Sequence, residues 1–387
     1  MRLYIAGGCS EHGRNSFLIT GEPVTFMVDA GKMKEKPDKP FPELTDEQIR
    51  SIDYLFLTHC HTDHTGAIGF LEDRGFCGTI VGTSATLRNI PPFRSKLIVL
   101  EDYSGPNSEI RIHPELSVLW GRAGHCIGSV WYRFKSAGKT LLFTGDYEEQ
   151  SIAYTCDAIR DMDADLAVID CAYGYEAEDA GEHWVMLNDL LDSLIGKEKP
   201  LLFPVPSHGR GFDIIRLLSD RGITTVLTES LLAELWDSPD REVWLKEDFI
   251  LAVEKLDRRD IHTFEADYTA ALKRGESFPT EYREAGILVR DSQLVKGKNR
   301  EIARGVSQKG GRTILTGKQD PASFARELLN RHEADFCRIS VHQNVDEMMR
   351  LRNNNHFRVV VPYHCREKLV FDEPDIAVLE PGDSIEI

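Results

Sequence analysis

Residues 58–67 read Thr58-His59-Cys60-His61-Thr62-Asp63-His64-Thr65-Gly66-Ala67. The apolar run just before, Tyr54-Leu55-Phe56-Leu57-Thr58, reads as a buried strand that runs directly into His59. Residues two apart at a strand end project to one side, so His59 and His61 form one donor group. Asp63 and His64 lie just beyond, in the turn, and form a second. Two donor groups of imidazole and carboxylate suit a pair of divalent ions, with Zn²⁺ first and Mn²⁺ or Fe as alternatives. A closed structural site is the weaker reading, because such sites favour Cys ligands. None of the eight cysteines forms a C-x-x-C pair.

A strand ending in this cluster needs further donors from other strand ends. Three segments qualify: Val28-Asp29-Ala30-Gly31, Gly124-His125-Cys126-Ile127-Gly128 and Thr144-Gly145-Asp146. A single strand-end Asp is more often a turn residue than a functional one. All three, in this order after short β-prone runs, resemble the metallo-β-lactamase fold. The resemblance implies that His59, His61 and His125 hold one metal. It gives Asp63 and His64 to the second, Asp146 to a bridge between them, and Asp29 to orienting the site.

The second half lacks the late His expected soon after Asp146 in a plain hydrolase of that fold. Instead, Val168-Ile169-Asp170, Arg338-Ile339-Ser340-Val341-His342 and Val361-Pro362-Tyr363-His364 each end a strand-like run in an acid or a His. This pattern resembles the beta-CASP nucleases, the group of ribonuclease J and the mRNA 3′-end cleavage endonuclease. The opening Gly7-Gly8…Glu11…Gly13-Arg14, the Pro206-Ser207-His208-Gly209-Arg210 turn and Thr316-Gly317-Lys318 match that group as well. The implied fold is an α/β metallo-β-lactamase αββα sandwich with an inserted α/β beta-CASP cap. The texture of the chain divides it into core 1–172, cap 173–310 and core 311–387. No C-terminal appendage of the ribonuclease J type is visible, and Gln343-Asn344 stand where the group has an acid after the His.

The expected activity is that of a two-metal phosphodiesterase on RNA or single-stranded DNA. A metal-bridging hydroxide attacks phosphorus, and His342 protonates the leaving oxygen. Asp170 tunes His342, Asp63 works at the reaction centre, and His364 joins the second metal. The alternative is a small-molecule hydrolase of the same fold, a thioesterase or lactonase. Cys60, Cys126, Cys171 and Cys365 adjoin site residues and read as core fillers. The other seven histidines, His12 and His208 among them, read as surface or core residues.

Composition sets the remaining limits. With 63 acidic and 46 basic residues in 387, the net charge is −17, which excludes polyanion binding through the overall field. A nucleic acid then needs local contacts. The expected ones are Ser207 and Arg210 at a helix start, and Lys296, Lys298 and Arg300 in a run from 296 to 318 with seven basic residues and one acid. No run approaches the roughly 18 apolar residues of a membrane span, and the N-terminal one is too short for a signal peptide. The cytoplasm is the expected location, with reduced thiols, no membrane partner and room for a homodimer.

Overall fold

The computed structural model of the chain describes residues 1–21 and 23–387. It has two compact units: Met1–Glu149 with Thr155–Asp179 and Val341–Ile387, and Gln150–Tyr154 with Ala180–Ser340. The first holds two large sheets. One runs, in spatial order, Ser384–Glu386, Arg2–Gly7, Ser16–Thr20, Phe26–Val28, Tyr54–Phe56, Thr79–Gly82 and Lys96–Val99. The other runs Val360–Tyr363, Leu166–Asp170, Lys139–Phe143, Val130–Ser136, Leu116–Arg122 and Glu109–His113.

Alternation along these strands builds three apolar layers. Phe17, Phe26 and Phe56 turn inward and meet Phe134, Phe143 and Tyr363 of the other sheet, with Phe26 and Phe56 each 4.8 Å from Phe134. Their neighbours Leu18, Met27 and Leu55 turn outward onto Ile49 and Leu71. Leu142, Ala167 and Ile169 turn outward onto Met348 and Leu351. Both sheets are thus covered on both faces, which is why their strands read as near-continuous apolar runs. The expected αββα sandwich is present. Thr45 with Gln48 three residues on is a capping-box pattern that predicts a helix over 45–52, and the helix is Asp46–Arg50, closed by that box.

The second unit is an all-parallel sheet in the order Arg258–Asp260, Thr225–Leu227, Gly286–Arg290, Leu201–Val205, Arg312–Leu315, Ala334–Phe336. Leu202, Val226, Ile287 and Leu315 pack with Phe264, Ile302, Val306 and Leu328 in its core. The return to the first unit therefore falls at Val341, not at 311. The strand at 312–315 is apolar enough for either sheet, and only its pairing with Leu201–Leu202 assigns it. The strand-like run ending in His342 is not a strand, and the strand nearest to it is Ala334–Phe336. The weakly periodic stretch after 236 contains the helices Glu247–Glu254 and Ile261–Lys273, the latter capped by Asp260.

Among the described residues the eight cysteines form no disulfide. Among the described residues no helix is long and apolar enough to cross a membrane.

Candidate metal centre

The site is assembled at strand ends of the first unit. Asp29 follows the strand Phe26–Val28 with φ +59°. Its Oδ1 accepts from Thr58 N and its Oδ2 from Thr58 Oγ1, both at 2.8 Å, and Oδ2 is 2.7 Å from His64 Nδ1. Asp29 thereby fixes the His64 ring and the loop that carries it. That loop is pinned again from its other side. Asn15 N donates to Asp63 O, Ala30 N to His64 O and Lys32 N to Thr62 O, at 2.7–3.0 Å. The approach is so close that a Cβ on Gly31 would stand 1.8 Å from Asp63 O, so only glycine fits. His125 sits between Gly124 and Gly128, both at positive φ, and its Nδ1 meets Val341 O at 2.8 Å. Asp146 follows Gly145 and accepts from the Tyr363 hydroxyl at 3.1 Å.

Two donor sets result, and Asp146 faces both. In the first, His61 Nδ1 is 3.0 Å from His59 Nε2 and 3.1 Å from His125 Nε2. Asp146 Oδ2 is 3.3 Å from His59 Nε2 and 3.5 Å from His125 Nε2. Three ring nitrogens and a carboxylate oxygen at these spacings cannot all pair with one another. Donors held about 2.0–2.1 Å from one point at tetrahedral angles stand about 3.3–3.4 Å apart. The set has the dimensions of a four-ligand zinc site. On the other side, Asp146 Oδ1 is 3.1 Å from His64 Nε2 and 3.2 Å from His364 Nδ1. Asp63 Oδ2 is 3.1 Å from His364 Nε2 and 3.8 Å from His64 Nε2. His364 Nδ1 is buried and has no hydrogen-bonded partner despite that short approach to Asp146. An orphaned ring nitrogen facing a carboxylate suits a cation between them.

The electrostatics point the same way. Burial holds His61 and His59 low, and with its imidazole neighbours holds His125 at about 3, so all three are neutral. Burial opposes charge on His64 and His364 too, but Asp146 overcomes it, helped by Asp29 at His64 and by Asp170 and Asp63 at His364. Both stay well above the usual histidine range. Without metal, two imidazolium protons thus balance the buried carboxylates, the positions that divalent charge takes over on binding.

His342 stands beside both sets, its ring 5.0 Å from those of His125 and His364. Its Nδ1 is 3.0 Å from Asp170 Oδ2 and 3.7 Å from Asp146 Oδ2. Burial raises Asp170, but the charge and hydrogen bond of His342 outweigh it and keep the carboxyl below its ordinary value. All the residues expected at the centre are therefore brought together: His59, His61, Asp63, His64, His125, Asp146, Asp170, His342, His364 and Asp29.

The expected substrate contacts belong to the second unit and are largely committed there. Arg210 donates through Nη1 to Thr316 O and Ile339 O. Lys298 pairs with Glu265, and Arg300 donates to Leu294 O at 2.7 Å and covers the Phe324 ring. Ser207 and Lys296 are exposed. One residue that the sequence left as surface or core stands beside the centre. His12 stacks on His364 at 4.5 Å and 11°, and burial with the neighbouring His364 holds it at about 4. Its place in the opening loop, four residues after Gly8, was the signal available.

The metallo-beta-lactamase superfamily model matches residues 10–191. The endoribonuclease ysh1 of Emericella nidulans is 22% identical, over 94% of this chain and 47% of its own. The transcription termination factor FttA of Lokiarchaeum sp. is 23% identical, over 57% of this chain and 39% of its own. The cleavage and polyadenylation specificity factor 73 of Drosophila melanogaster is 24% identical, over 55% and 35%. The chain spans under half the length of these relatives. A protein of unknown function from Enterococcus faecalis V583 has a similar fold, with a TM-score of 0.63, 13% identity and 99% of each chain covered.

Proposed function

We propose, from the metallo-β-lactamase domain that this chain carries, that it is a two-metal phosphodiesterase cleaving RNA. The observation that carries this reading is Asp146, whose two carboxylate oxygens face separate donor sets at 3.1–3.5 Å. One ion is held by His59, His61, His125 and Asp146, and the other by Asp63, His64, His364 and Asp146. Zn²⁺ fits the first set best, since three imidazoles and a carboxylate are its common ligands. When bound, such ions neutralise phosphate charge and lower the pKa of water.

The chain's own residues supply the rest. Tyr363 and Asp29 orient the ligands, by hydrogen bonds to Asp146 and to His64. Asp170 accepts a hydrogen bond from His342 Nδ1–H, which leaves Nε2 to carry the proton given to the leaving oxygen. Asp63 serves as a ligand. The second unit corresponds to the beta-CASP insert, and its exposed Lys296 and Ser207 are the residues offered to phosphates. A thioesterase would leave the His342–Asp170 pair without a task, because a thiolate leaves without a proton.

The test is incubation of the metal-loaded protein with 5′- and 3′-labelled RNA and single-stranded DNA. RNA cleavage that stops on chelation is expected and returns with added Zn²⁺. Intact RNA beside rapid hydrolysis of thioesters would overturn the reading.

A further inference from the structure

His12 lies in a loop that is locked at both ends. Glu11 takes a buried two-point ion pair from Arg14, at 2.6 and 3.0 Å, and also accepts from Gly8 N. Gly8 O in turn accepts from His364 N at 2.6 Å. His12 is therefore presented on a fixed frame beside His364, and the two rings stack nearly parallel.

The tautomer follows from the hydrogen bond. His12 Nδ1 is 3.3 Å from the main-chain oxygen of His364. A carbonyl only accepts, so Nδ1 carries the hydrogen and Nε2 holds the lone pair. His125 has the same arrangement, with Nδ1 on Val341 O and Nε2 in the first donor set. A ring N–H held by a carbonyl is the usual support of a ligating imidazole. Ligand atoms of His12, Asp63 and His364 all lie within 4.8 Å of one another.

The same loop also touches His64. Asn15 Nδ2 is 2.8 Å from His64 Nε2, the nitrogen that faces Asp146. The loop that brings Asn15 to His64 also brings His12, three residues before Asn15, to the second donor set.

We propose that His12 is a ligand of the second ion through Nε2, together with Asp63 and His364. This rests on the two-ion reading above. The second position then has donors enough for five-coordination, unlike the four-ligand first set, and the two positions differ in metal preference.

The test uses Co²⁺ titration of the metal-free parent, His12→Phe and His12→Gln, followed by metal analysis and by NMR of the hyperfine-shifted, solvent-exchangeable imidazole N–H signals. The parent is expected to bind two ions. His12→Phe keeps a ring for the stack and should bind the first ion as the parent does, the second at least about tenfold more weakly. It should also show one N–H signal fewer. Should Phe fail to fold, Gln is read the same way. Should both fail, the parent alone decides: six ligating imidazoles with His12, five without. A His12→Phe protein with parental affinity for both ions overturns the assignment of His12 only. A parent that saturates with one ion overturns the two-ion reading and this inference together.

Discussion

Replacing His342 by Ala removes an imidazole that stands beside both donor sets and, in the proposed reaction, belongs to neither. Its Nδ1 is 3.0 Å from Asp170 Oδ2, while its nearest approach to Asp146 is 3.7 Å, longer than the spacings within the first set. Metal content should therefore stay at the parent level. Loss of a positioned general acid slows turnover by about 10²–10⁴-fold, which is about 3–5 kcal/mol of transition-state stabilisation. The assay compares RNA with an aryl phosphodiester, whose leaving group departs without a proton. Cleavage of RNA should fall by the full factor and that of the aryl ester by far less. Asp146→Ala should behave oppositely, stripping both ions and both activities. The reasoning is refuted if His342→Ala loses an ion, keeps the parental rate on RNA, or slows both substrates equally.

Gly31→Ala places a Cβ 1.8 Å from Asp63 O, so the ligand loop must shift. Thermal melts should show a clear loss of stability, and metal analysis should show the Asp63 ion depleted before the other. Lys296→Gln is a cleaner probe of the basic run than a change at Lys298, which pairs with Glu265, or at Arg300, which also supports Leu294 and Phe324. If Lys296 meets a phosphate, the slope of log affinity against log salt for single-stranded RNA should be shallower by about 0.7. Arg122→Ala tests an ion pair, since Arg122 grips Asp157 with two contacts of 2.7 and 2.8 Å. Burial raises the Asp157 carboxyl, but these bonds and the Arg122 N–H win and hold it below its ordinary value. A depressed acid stabilises the fold above its unfolded pKa of about 3.9 and loses that effect as pH falls through the folded value. The variant should be about 1.5–3 kcal/mol less stable at pH 7 in denaturant melts, with a weaker acid-side decline than the parent.

Much of the centre was readable because its signals are local. His59 to His64 share one strand end and one turn, so their spacing alone implies two donor groups. The Thr45–Gln48 capping box is equally local, and it forms as read. Asp170, His342 and His364 needed the family resemblance, since each on its own is an ordinary strand-end residue. Other features depend on contacts that no window of sequence contains. His12 matters only because His364 folds back over it from 352 residues away. The charge count over 296–318 gave a basic run, but it could not say that Lys298 faces Glu265. The strand at 312–315 was correctly seen and assigned to the wrong unit, because apolar β-prone residues do not name their neighbour.

The donors are also unevenly spaced along the chain, and that has a consequence for the newly made protein. The first set is complete once Asp146 has been synthesised, whereas the second waits for His364, 218 residues later. At ordinary translation speeds of about 5–20 residues per second, the gap is roughly 10–45 s. During that interval Asp146 has only the first set's donors beside it, and the second set is completed when the last histidine arrives. His342, the general acid of the proposed reaction, also emerges late, only 22 residues before His364. On the proposed reading, a chain made in this order would have its first metal position complete before it has all the residues needed for cleavage.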